Sequence, residues 1–129
     1  MSLRIVRLGT PRHPDEGLRL GTVRRPPRGV ARADFARLDF YDLWFPTLAP
    51  SAELVKQAQG AETPAQWAAF ARAYRKEMSK GEAPHALDLL AALSHRTQLS
   101  VGCYCADAAR CHRSVLAELL AERGADIVD

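Results

Sequence analysis

The spacing of apolar positions changes several times along this chain, and each change marks an element. Leu3, Ile5 and the aliphatic stem of Arg7 alternate with Arg4, Val6 and Leu8, which predicts a short strand. Pro11 and Pro14 make the next stretch a loop. Gly17 to Val23 reads as a second strand with Leu18, Leu20 and Thr22 on one face, halted by Pro26-Pro27. Residues 34–45 are rich in aromatic and apolar side chains, and Pro46 and Pro50 break any helix that would start there.

Beyond residue 50 the period becomes helical. Ser51 is placed to cap a short helix over Ala52–Gln59, which Gly60 ends. Thr63-Pro64-Ala65-Gln66 has the form of a capping box with proline at the first helical position. Trp67, Phe70, Ala71, Tyr74 and Met78 follow at steps of three and four, the stripe of a buried helical face. Gly81 stops that helix and Pro84 opens another, carrying Leu87, Leu90 and Ala91. Gln98 to Tyr104 alternates as a strand. A helix from about Cys111 to Arg123 bears Val115, Leu116, Leu119 and Leu120, and a last strand covers Ala125 to Val128. Strand, helix and strand in that order form the smallest parallel crossover. The expected fold is therefore α/β: a single small domain over residues 1–129, with a short, mostly parallel sheet flanked by four or five helices. Its N-terminal third is loop-rich and arginine-rich.

Composition adds bounds. The chain has 129 residues, 47% hydrophobic and 26% charged, which suits one globular domain with its own core. No run approaches the roughly 18 apolar residues of a membrane span, and Met1 to Ile5 lacks the apolar run of a signal peptide. Three cysteines with no export signal point to a reducing cytoplasm rather than a disulfide scaffold, and no membrane partner is expected. The net charge of +3 is unevenly spread. Residues 1–37 hold nine arginines against Asp15, Glu16 and Asp34, whereas the remainder is net acidic. The basic end suits an anionic partner, a small phosphate-bearing molecule or a nucleic acid, although a solvated basic loop has the same composition.

The densest chemistry lies in Cys103-Tyr104-Cys105 and, after five residues, Cys111-His112-Arg113. These residues close a strand and open a helix, where free N–H groups and a partial positive charge favour anions and thiolates. Arg110 and Arg113 add full charges. Cys105 and Cys111 are the candidate nucleophiles or redox thiols, with His112 as acid or base. Arg24, Arg28 and Arg113 are the candidate anion-binding residues. A phosphatase-type loop is disfavoured, since Cys111 stands six residues after Cys105 and Ala109 six after Cys103, neither an arginine. In an extended strand, Cys103 and Cys105 have Cα atoms roughly 6.6–6.8 Å apart, the edge of disulfide reach. Cys111 could meet either sulfur. No metal is assigned, because adjacent helical residues Cys111 and His112 diverge by about 100°. The same thiols could simply pack the junction as buried structural groups. Any cofactor is left unassigned by the sequence.

Four segments taken together resemble the bacterial domain-of-unknown-function family 488. They are Arg24 with Pro27-Arg28-Gly29-Val30; Trp44 with Leu48-Ala49-Pro50-Ser51 and Leu54; Trp67, Phe70, Tyr74 and Glu77; and Cys105 with Cys111-His112-Arg113. The resemblance implies a small cytoplasmic α/β domain with a cysteine-bearing loop, and it names relatives rather than a reaction. It also implies that the cysteine loop and the N-terminal arginines share one site. Val23 and Arg25-Pro26 replace an acidic residue and a Leu-Trp pair of many relatives, which makes this chain more cationic. Pro46 interrupts a segment that looks helical in them. The functional expectation is a thiol-dependent enzyme acting on a small anionic substrate. The alternatives are a non-catalytic module binding the phosphates of nucleotides or nucleic acid, and an adaptor with structural cysteines.

Overall fold

A computed structural model describes residues 1–105 and 111–128. Among these residues five strands lie in one sheet: β1 (Leu3–Arg7), β2 (Leu18–Gly21), β3 (Leu43–Trp44), β4 (Leu99–Cys103) and β5 (Ile127–Val128). Their order is β3-β2-β4-β1-β5 and every pair is parallel. The same described residues form four α-helices: α1 (Ala52–Gln59), α2 (Pro64–Glu77), α3 (Ala83–Leu93) and α4 (His112–Glu122). β3 is the element that the periodicity did not reveal. It is two residues long, at a sheet edge, and Pro46 follows at once, so no alternation could develop.

The caps act as their residue types require. Ser51 accepts the Leu54 N–H, and Thr63 and Gln66 form the reciprocal capping box. All four helices pack on one face of the sheet around Leu3, Leu20, Leu99, Val101, Phe70, Tyr74, Leu87, Leu116 and Leu120. Phe70 and Tyr74 are fully buried and Trp67 half-buried, so the α2 stripe faces the core as its spacing predicts. The Tyr74 hydroxyl donates to the Leu48 carbonyl at 2.6 Å.

Irregular chain covers the other face. Leu8, Val23 and Tyr41 form a second apolar cluster with Cys103 and Cys111 at the carboxyl end of the sheet, with Phe35, Phe40 and Tyr104 against it. Gly21 is required by this cover, because a Cβ would run into the Tyr41 ring. Arg19 is wholly buried on this side. It donates twice to Glu16, and also to the carbonyls of Thr10 and Asp39. Leu18, by contrast, is 51% exposed although it shares a face with Leu20. β3 pairs only with Leu20 and Gly21, so among the described residues no strand pairs beside Leu18 on that edge.

Candidate functional site

The connections leaving β2 and β4 diverge. The chain after β2 goes on to cover the irregular face, while the chain after β4 leads to α4 on the helical face. In open parallel sheets such a divergence leaves a crevice beyond the carboxyl ends of the strands. A cavity of about 740 Å³ lies there. One wall is Cys103, Tyr104, Cys105 and His112; the other is the post-β2 segment from Val23 to Arg28; α1 contributes Ala52, Val55, Lys56 and Gln59. The Tyr104 hydroxyl donates to the Arg25 carbonyl at 2.9 Å and ties the two walls together.

Arg24, Arg25, Arg28 and Lys56 line this cavity, and no carboxylate does so among the described residues. Arg24 spends Nε and Nη2 on the carbonyls of Pro50 and Ala49, both at 3.1 Å, which fixes its guanidinium at the rim. Arg28 is exposed, with no hydrogen-bond partner among the described residues. Arg113 sits differently. It is 4% exposed and donates through Nη2 to the Cys105 carbonyl at 2.6 Å, so it holds the cysteine segment from behind. Arg110 lies outside the described residues.

The three sulfurs also differ. Cys105 is exposed and carries a free thiol on the cavity wall. Cys103 and Cys111 are each 1% exposed, and their sulfurs touch. Their Cα atoms are 7.9 Å apart, beyond the usual disulfide range of about 4.4–6.8 Å. Cys111 is not helical. It is the N-cap of α4 with φ −136° and ψ 154°, so its side chain does not follow the 100° helical step. This corrects the expectation that Cys111 and His112 diverge: Cys111 Sγ lies 3.7 Å from His112 Nδ1.

His112 Nε2 lies 2.8 Å from the Thr22 carbonyl oxygen. A carbonyl only accepts, so Nε2 carries the proton and Nδ1 keeps its lone pair. Burial, chiefly, and the Arg113 charge push the His112 pKa down to about 4 against the opposing hydrogen bond to Thr22. The ring is therefore neutral at neutral pH, a base whose free lone pair faces Cys111. Thr22 escaped sequence reasoning because its contribution is a backbone carbonyl, which carries no residue signature. Tyr104 and Arg25 escaped because their contact depends on how two loops meet.

The segments that carried the family resemblance converge on this wall. Tyr74 holds Leu48, Arg24 holds Ala49 and Pro50, the Ser51 N–H donates to Glu77 Oε1 at 2.9 Å, and Trp44 Nε1 donates to the Val23 carbonyl at 2.7 Å. These contacts define a small parallel α/β protein with a cationic, thiol-bearing cavity at the carboxyl end of its sheet. The chain belongs to the DUF488 family: the family profile described as the active DUF488-N3 subclade matches residues 3–124. No curated protein and no solved structure matches it significantly. Among the described residues, no helix is long and apolar enough to cross a membrane.

Proposed function

We propose that the protein is a thiol-dependent enzyme acting on a small anionic substrate, with phosphate-bearing molecules as the first class to try. The observation that supports it most is the shared cavity: an exposed Cys105 thiol lies on the wall facing Arg24 and Arg28. Cys105 is the reacting sulfur, because Cys111 and Cys103 are buried against each other. Arg24 and Arg28 hold the anion by charge-assisted hydrogen bonds. Arg113 positions the Cys105 backbone rather than touching the substrate.

The test compares alkylation by iodoacetate, an anion, with alkylation by neutral iodoacetamide. Cys105 should favour iodoacetate several-fold over an unstructured cysteine peptide. Arg24→Ala and Arg28→Ala should each reduce that preference, and inorganic phosphate should protect the thiol. Equal rates for both reagents in the wild type would sink the anion site. Phosphate binding with a Cys105 no more reactive than the peptide would support the rival binding module instead.

A further inference from the structure

We propose that Cys103, Cys111 and His112 form a metal site for a d10 divalent cation of the zinc type, opening on the same cavity. The two sulfurs and the imidazole nitrogen all lie within 4.8 Å of one another, and all three residues are buried. They come from different elements: the end of β4, the N-cap of α4 and its first turn. Sulfur and imidazole together are the donor set that zinc favours.

Three features distinguish this cluster from thiols that merely fill space. First, the imidazole is aimed. Its Nε2–H is committed to the Thr22 carbonyl, so the Nδ1 lone pair points at the sulfurs. That is how metal-bound histidines are oriented, the outer nitrogen donating to a backbone carbonyl or carboxylate. Second, the Sγ–Nδ1 separation of 3.7 Å is close to the edge of about 3.6 Å that a tetrahedron with zinc–sulfur and zinc–nitrogen bonds requires. Third, the backbones of Cys103 and Cys111 are too far apart, at 7.9 Å, for an ordinary disulfide. Two side chains reaching toward each other across that gap can instead share an ion, their sulfurs parting by rotation about χ1 to the roughly 3.8 Å that two zinc–sulfur bonds subtend.

Charge fits as well. Binding Zn²⁺ converts two thiols to thiolates and releases their two protons to solvent, while neutral His112 donates its lone pair. The product carries no net charge, which suits a buried location beside Arg113. Cys103 and His112 both form cavity wall, so the fourth position of the ion opens there. Among the described residues three protein ligands converge, and three protein ligands with an open fourth place is the arrangement of catalytic rather than structural zinc. This site does not depend on the reactivity of Cys105.

The full chain, purified under reducing conditions and stripped with a chelator, is titrated with Zn²⁺ and separately with Co²⁺. One equivalent should bind and release about two protons. Co²⁺ should give thiolate charge-transfer absorption and visible bands of tetrahedral intensity. Cys103→Ser, Cys111→Ser and His112→Gln should each weaken binding at least about tenfold. Cys105→Ser should leave it unchanged. Zn²⁺ should raise the melting temperature of the wild type and not that of Cys111→Ser, whose fold is checked by circular dichroism. If Cys111→Ser does not fold, the proton count and the Co²⁺ spectrum of the wild type still decide. Failure of the stripped, reduced wild type to bind Zn²⁺ would overturn the site, as would Co²⁺ bands of octahedral character. Loss of binding in Cys105→Ser would overturn the three-ligand assignment. None of these results bears on the iodoacetate preference of Cys105, so the two proposals fail separately.

Discussion

The Arg19 guanidinium grips the Glu16 carboxylate through two hydrogen bonds, Nε to Oε2 at 2.6 Å and Nη2 to Oε1 at 2.8 Å, with almost no exposure of either side chain. Ser100 Oγ donates to the same carboxylate at 3.0 Å, and the remaining Arg19 nitrogen donates to Thr10 and Asp39. The pair thus fastens the irregular cover to β2 and β4. Removing one partner leaves the other buried and charged, so Glu16→Gln or Arg19→Met should each cost about 3–5 kcal/mol. Replacing both at once should cost clearly less than the sum, which urea denaturation in a double-mutant cycle measures. Additive losses would mean that the pair is not coupled.

Stability should also depend on pH through Glu16. Burial raises its pKa, but hydrogen bonds from Arg19 and Ser100 and the Arg19 charge outweigh burial, leaving it below the ordinary 4.5. A carboxyl with a folded pKa below its unfolded one contributes stability that is fully present above the unfolded value. That contribution is lost as pH falls through the folded value. The denaturation midpoint should therefore drop as pH falls below about 4.5. In Glu16→Gln this acid-side fall should be shallower, with the part due to Asp42, whose pKa is also lowered, remaining. A slope identical to wild type would contradict the assignment.

The α2 core makes a separate demand. Tyr74→Phe keeps the ring but orphans the Leu48 carbonyl, at a cost of about 1–3 kcal/mol. Phe70→Ala, at a fully buried position, should cost about 3–5 kcal/mol. Because Leu48 adjoins the carbonyls that anchor Arg24, Tyr74→Phe should also reduce the iodoacetate preference of Cys105, whereas Phe70→Ala tests packing alone. Chemical denaturation and the alkylation ratio separate the two effects.

Two glycines in the left-handed region offer an internal control. Gly17 has φ 72° and Gly124 has φ 85°. A Cβ on Gly124 meets open space, so Gly124→Ala should cost only the conformational strain, about 1–2 kcal/mol. A Cβ on Gly17 would run into the Gln98 carbonyl, so Gly17→Ala should cost more, by about 1–3 kcal/mol. Equal melting temperatures for the two variants would show that the 16–18 turn relaxes freely.

Native alkylation with peptide mapping should label Cys105 first. Cys103 and Cys111 should label only as the protein unfolds, because both are 1% exposed. Labelling of Cys111 in the native state at a rate near that of Cys105 would contradict its placement and reopen it as the nucleophile.

Much of this architecture is legible in residue spacing, because caps and stripes are local. Ser51, Thr63 and Gln66 act within one helical turn, and the α2 stripe needs only the 3.6-residue period to find its buried face. The strand–helix junction bearing the cysteines and the uneven distribution of arginines are likewise properties of the chain alone. The tertiary structure decided which of these groups meet. Cys111 pairs with Cys103, and converges with His112, because an N-cap takes extended backbone rather than the helical step. Arg19 lies inside because Glu16, Thr10 and Asp39 arrive from separate turns to satisfy a charge that its sequence neighbours alone would leave in water. Arg24 and Arg28 share a cavity with Cys105 because β2 and β4, far apart in sequence, lie side by side in the sheet from Leu18 against Leu99 to Gly21 against Gly102, and such a parallel pairing leaves no trace in local periodicity.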